Sequence, residues 1–139
     1  MATLTNPFDF SWMVGRYVTV TFSEPSFWSF DFGDSLGVRV ECPWRLLKHG
    51  CITVSGLDHG HQYGLPAPID AAIRATSSLA GSAVTHIQIR EGTADILIDF
   101  EGDLCLEITP FSSGYESWQA SVPGGKSVIA QGGGQLSAW

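Results

Sequence analysis

Cysteine, basic residues and long apolar runs are all scarce in this chain, and each shortage closes off a class of protein. Three cysteines in 139 residues, with no C-x-x-C pair, do not build a disulfide framework and point to a reducing compartment. Seven Lys and Arg stand against fourteen Asp and Glu, a net charge of −7. That balance argues against a nucleic-acid surface, which needs clustered cations to displace counterions. No apolar run approaches the ~20 residues of a membrane span, and the start, MATLTNPFDFSWMVG, lacks the basic and apolar regions of a signal peptide. A cytoplasmic protein with no membrane or nucleic-acid partner is the expectation. Ser112-Ser113-Gly114 is not a G-x-S-x-G elbow, and no G-x-G-x-x-G or G-x-x-x-x-G-K-[ST] motif occurs, so no nucleotide cradle or cofactor is expected.

What the chain does have is apolar and aromatic material for a core, and sixteen glycines for turns. Its length suits one domain over 1–139, able to bury roughly two-thirds of the unfolded surface. The strongest internal signal is a duplication. Trp28, Phe30, Asp31, Phe32, Leu36, Val38 and Val40 have counterparts 68 residues later in Ile96, Ile98, Asp99, Phe100, Leu104, Leu106 and Ile108. Pro43-Trp44 is echoed by Pro110-Phe111 at an offset one shorter. The copies span about 16–55 and 84–122. Apolar alternation predicts strands at 16–22, 27–32 and 36–40 in the first, and at 84–90, 94–100 and 104–109 in the second. One further strand is expected after each Pro-aromatic corner, at 51–54 and 117–122, and a closing hairpin at 127–130 and 135–139. Residues 1–15, where Phe8, Phe10 and Trp12 alternate, read as an extended lead-in.

Between the copies the spacing predicts a helix over 68–80. Pro68 suits its first position, Asp70 the positive end of its dipole and Gly81 a left-handed cap. Ile69, Ala72, Ile73, Thr76, Leu79 and Ala80 fall on one face. The expected class is therefore α+β: mostly antiparallel β, two pseudo-symmetric hairpin-based repeats forming a sandwich or half-barrel, and one inserted helix.

The segments Phe100-Glu101-Gly102-Asp103-Leu104, Tyr115-Glu116-Ser117-Trp118, Pro123-Gly124-Gly125 and Gly132-Gly133-Gly134-Gln135-Leu136-Ser137-Ala138-Trp139 carry a likeness. They resemble a family of small bacterial domains of unknown function with duplicated F-x-D-G hairpins, Y-E-x-W and a terminal G-G-G-x-L-x-x-W. The first turn departs from that pattern, reading Phe32-Gly33-Asp34. The resemblance implies architecture only, with no activity or site residue.

Three groups of residues could carry chemistry. His59 and His61, as His-x-His on an extended segment, would project both rings to one side, with His49 or Asp58 completing a zinc site. The alternative is a set of solvated loop histidines. Glu116 beside Trp118, with Tyr115 opposite, could place an acid in an apolar setting for general acid or base work. The alternative has Trp118 in the core and Glu116 paired with Arg45 or Arg90. Asp31 and Asp99, with Glu101 and Asp103, could pair for a cation, or simply serve hairpin turns. Cys42, Cys51 and Cys105 read as small strand hydrophobes.

The leading expectation is a non-enzymatic protein-binding module, by analogy an immunity or accessory factor, whose acidic surface steers a basic partner. One rival is a small-molecule or metal-dependent enzyme built on Tyr115, Glu116, His59 and His61. The other is a structural homodimer closed through the C-terminal hairpin or an uncovered sheet edge.

Overall fold

Alternating burial shapes nearly every strand of the computed structural model, which describes residues 6–139. Among the described residues the strands are β1 (Thr19–Ser23), β2 (Phe27–Asp31), β3 (Gly37–Val40), β4 (Trp44–Lys48), β5 (Cys51–Ser55), β6 (Val84–Ile89), β7 (Ile96–Phe100), β8 (Leu104–Ile108), β9 (Trp118–Val122), β10 (Lys126–Ala130) and β11 (Leu136–Ala138), with one α-helix, α1 (Ala71–Leu79). They form two open antiparallel sheets, ordered β1-β2-β3-β9-β10-β11 and β5-β4-β8-β7-β6. The inner faces share one core, where the Trp44 ring stands edge-on to Trp28 at 5.0 Å and Phe30 at 5.4 Å. Burying each such side chain contributes about 1.5–3 kcal/mol.

The duplication extends to register. Trp28 pairs with Val40 and Phe30 with Val38, and their counterparts Ile96 with Ile108 and Ile98 with Leu106. Arg16 and Val84, one repeat apart, meet: Gly15 N–H donates to Val84 C=O at 2.8 Å, and Val84 N–H to Arg16 C=O at 2.9 Å. The pseudo-dyad passes there.

Each copy starts in one sheet and ends in the other. β1-β2-β3 is extended by β9-β10 of the second copy, and β6-β7-β8 by β4-β5 of the first. Val40 pairs with Trp118 and its counterpart Ile108 with Trp44. The true partner of Trp44 is therefore Trp118, not Phe111, which is 79% exposed. Two corrections share this cause. The first copy holds a strand, Trp44–Lys48, that the sequence reading passed over, and Cys51–Ser55 corresponds to Lys126–Ala130 rather than to 117–122. The second copy simply takes a longer path from Pro110 to its tryptophan.

α1 is shorter than expected. Ile69 is held extended by bonds from its N–H to His61 C=O and from Gly60 N–H to its own C=O, so Pro68 lies outside the helix. Asp70 is the N-cap, its carboxylate accepting from Ile73 N–H at 3.1 Å. Such a cap contributes about 1 kcal/mol. Gly81 takes the left-handed conformation. The buried face is Ala71, Ala72, Ala75 and Leu79; Ile73 and Ala80, expected inside, are exposed. Small residues let α1 lie against β1, where Thr76 Oγ1 accepts from Val20 N–H at 2.9 Å and donates to Val20 C=O at 3.2 Å.

The lead-in is not extended over its described part. Asp9 accepts from Ser11 N–H, a short 3-10 turn follows at Ser11–Met13, and Phe10 and Met13 are buried while Phe8 is exposed. Residues 1–5 of that expectation lie outside the described residues.

Candidate functional site

The registers give the sandwich two unlike ends. One gathers the turns β2-β3, β4-β5, β7-β8 and β9-β10; the other gathers the turns β1-β2 and β6-β7, the two crossovers between sheets and the β10-β11 loop.

At the turn end, acids have partners. Arg16 bonds Asp34 at 2.9 Å and His49 bonds Asp103 at 2.9 Å. Asp31 accepts from Gly33 N–H at 2.8 Å, the local turn role weighed above. Asp99 is not paired with Asp31; it lies across the strand from Cys105. Burial, then a hydrogen bond to Asp99, pushes the Cys105 thiol up to about 12.

The crossover end is built by close backbone packing. Trp118 Nε1–H donates to Ala94 C=O at 2.9 Å, and Glu41 N–H donates to Ser117 C=O at 2.9 Å. The triple glycine seals the corner: a Cβ on Gly132 would stand 2.6 Å from Gly114 Cα, and one on Gly134 would collide with the Gly92 carbonyl. These glycines thus have a packing role. Around the corner lie Glu24, Glu41, Glu91, Asp95 and Glu116, with Phe111 and Tyr115 79% and 82% exposed. Arg90 is the one Lys or Arg in these connecting segments. Burial, with the charges of Asp95 and Glu41 nearby, pushes the Cys42 thiol up to about 12. Glu41 and Asp95 were not singled out from the sequence. Their positions beside the Pro43 corner and at the end of the β6-β7 turn were the available signal.

Tyr115 and Glu116 do not form the expected acid pocket. Trp118 turns into the core, 2% exposed, whereas Glu116 is solvent-facing and lines a hollow of about 160 Å³ with Phe27, Arg39, Glu41, Ser117, Trp118 and Gln119. Arg45 pairs with Glu107 at 2.6 Å rather than with Glu116. Arg39, laid over the Phe27 ring at 4.2 Å, also borders an open depression of about 310 Å³ over Gly37.

The histidines are not brought together. His49 sits at the turn before β5 and His59 beyond its far end, about a strand's length apart at ~3.3 Å per residue. Gly60, at φ +82°, breaks the extended geometry that would align the His-x-His rings. His59 is half-buried against Phe22 and Trp28, its Nδ1 accepting from Ala71 N–H at 3.1 Å. His61 stacks on Tyr63. Asp58 accepts from Ser55 N–H and Tyr63 Oη–H. Among the described residues no three His, Cys, Asp or Glu side chains assemble as a metal site.

Fold and surface together define a pseudo-symmetric, two-sheet α+β sandwich with an acidic, aromatic crossover end. Among the described residues no helix is long and apolar enough to cross a membrane. No family model, curated protein or solved structure matches the chain.

Proposed function

We propose that this protein is a non-enzymatic binding module that presents its crossover end to a basic surface of another protein, and that it belongs with the small bacterial domains its motifs resemble. The observation that carries the reading is the pairing contrast between the ends. At the turn end Arg16 and His49 meet acids, while the connecting segments of the crossover end carry five acids and two exposed aromatics against one base, Arg90, with Arg39 of β3 beside Glu41 and Glu116. An excess of negative charge around exposed rings suits electrostatic steering followed by aromatic anchoring. An enzyme reading would need Tyr115, Glu116, His59 and His61 around one cavity, and Glu116 and His59 face different surroundings.

Immobilised wild type and a Glu41→Lys/Glu116→Lys/Phe111→Ser variant, both exposed to a lysate of the native cells and crosslinked, test it. The expected result is salt-sensitive capture of basic proteins, crosslinked at the crossover end and lost in the variant. Identical captured sets from both proteins would defeat the proposal.

A further inference from the structure

Ser117 is the one buried polar side chain among the described residues, 3% exposed. Its backbone is used within the sheet, N–H donating to Ala130 C=O at 3.0 Å and C=O accepting from Glu41 N–H at 2.9 Å. Its hydroxyl has no hydrogen-bond partner among the described residues, and Ser117 lines the hollow of about 160 Å³ together with Glu41 and Glu116. A withdrawn hydroxyl without a partner is costly, and one that borders a polar hollow marks a place where a ligand can complete it.

Register brings the acids to this hydroxyl. Val40 pairs with Trp118 and both turn inward, so the next residues along, Glu41 and Ser117, stand opposite each other on the outer face. Their Cβ atoms are then ~4.5–5.5 Å apart. Trp28 also pairs with Val40, which sets Phe27 on the far side of Glu41. Arg39 and Gln119, paired one outward position further along, close the other side. Arg39 lies over the Phe27 ring at 4.2 Å, and among the described residues it forms no ion pair with either acid. Two carboxylates thus face one guanidinium, and negative charge is in excess around the hollow.

We infer that this hollow takes a single lysine side chain of the partner, its ammonium shared between the carboxylates of Glu41 and Glu116 and the hydroxyl of Ser117. The inference rests on the reading of the crossover end as a surface for a basic protein. Charge sets the sign of the occupant, and the lining sets its kind. An ammonium carries three donors on one compact atom, matching three acceptor groups around a space the size of one side chain. A guanidinium spreads five donors over a flat fork that these groups do not match, and sets a second broad cation beside Arg39.

Calorimetry and amide chemical shifts of the intact chain, titrated with capped pentalysine, its Nε-acetylated form and capped pentaarginine, test it. Pentalysine should bind about threefold or more tightly than pentaarginine, with shifts centred on Glu41, Ser117 and Gln119, and the acetylated peptide should not bind. Glu41→Gln or Glu116→Gln should weaken pentalysine about tenfold, and Ser117→Ala about threefold. Glu116 is exposed, so Glu116→Gln reads the hollow even if Ser117→Ala disturbs the fold. Pentaarginine binding as tightly as pentalysine, or pentalysine binding indifferent to Glu116→Gln, would overturn the lysine site. Shifts centred instead on Phe111 and Tyr115 would overturn it while leaving the basic-partner reading standing. No shift at the crossover end with either cationic peptide would overturn both.

Discussion

Trp44 and Trp118 occupy equivalent slots at the two crossovers, each 2% exposed, yet only one has its polar atom satisfied. Trp118 donates to Ala94 C=O, and Ala94 is itself held in the left-handed region at φ 62°. Among the described residues Trp44 Nε1 is buried with no partner, close to Gly56, where an added Cβ would stand 2.7 Å from it. The pair shows that duplication preserves backbone register more faithfully than it preserves polar satisfaction. It can be broken by substitution. Trp118→Phe and Trp44→Phe remove similar ring volume, but only the first strands a buried carbonyl, at about 1–3 kcal/mol, while the second removes an unsatisfied donor. Trp118→Phe should therefore destabilise by about 2 kcal/mol more than Trp44→Phe in urea unfolding. Equal losses would mean that the Ala94 bond contributes nothing to the asymmetry.

The flanks differ in the same way. After β5 the chain returns as a helix that covers β1; after β10 it returns as the three-residue β11. Thr76 carries the polar part of the first cover. Thr76→Val keeps the shape but leaves both backbone groups of Val20 without their partner, and should cost about 1–3 kcal/mol with faster amide exchange at Val20. An unchanged exchange rate would show that packing of Ala71, Ala75 and Leu79, not the hydroxyl, closes that edge.

Much of the fold was legible because register follows from period-2 patterning: the seven aligned positions all sit in or beside equivalent hairpins. The strand Trp44–Lys48 was missed because Arg45, Leu47 and Lys48 dilute its alternation, and because Pro110-Phe111 offered a nearer but false echo of Pro43-Trp44. The helix start was misplaced because the Ile69–His61 bridge is a tertiary contact invisible to local spacing. The histidine cluster dissolved for a similar reason, since closeness in sequence across β5 becomes distance along a strand. The acids of the crossover end come from four separated segments, and only topology gathers them.

The thiols offer a chemical comparison at one repeat position, Gly37 in the first copy and Cys105 in the second. A Cβ on Gly37 would stand 2.6 Å from Phe30 C=O, whereas Cys105 is accommodated across the strand from Asp99. Raising a thiol to about 12, as at Cys42 and Cys105, depletes the thiolate that reacts with alkylating agents at neutral pH. Exposed Cys51 should label first. Moving from about pH 7 to about pH 9 should leave the other two slow in the folded state, and fast labelling of Cys105 would contradict its shielding by burial beside Asp99.

The smallest expected effect lies in the turns. The second copy puts Gly102 and Asp103 in the left-handed region, at φ 84° and 59°; the first puts Asp34 and Ser35 there, at 56° and 62°. Asp34 has a compensating bond to Arg16, but that pair is worth only ~0–1 kcal/mol with the carboxylate 80% exposed. Ser35 is exposed, and no side-chain bond offsets its backbone strain among the described residues. Ser35→Gly removes a left-handed penalty of about 1 kcal/mol while raising the entropy of the unfolded chain, so a net stabilisation of a few tenths of a kcal/mol is expected. Asp103→Gly in the other copy relieves the same strain but also breaks the 2.9 Å contact with His49, so it should gain less. Greater stabilisation from Asp103→Gly than from Ser35→Gly would show that the His49 contact does not hold its turn.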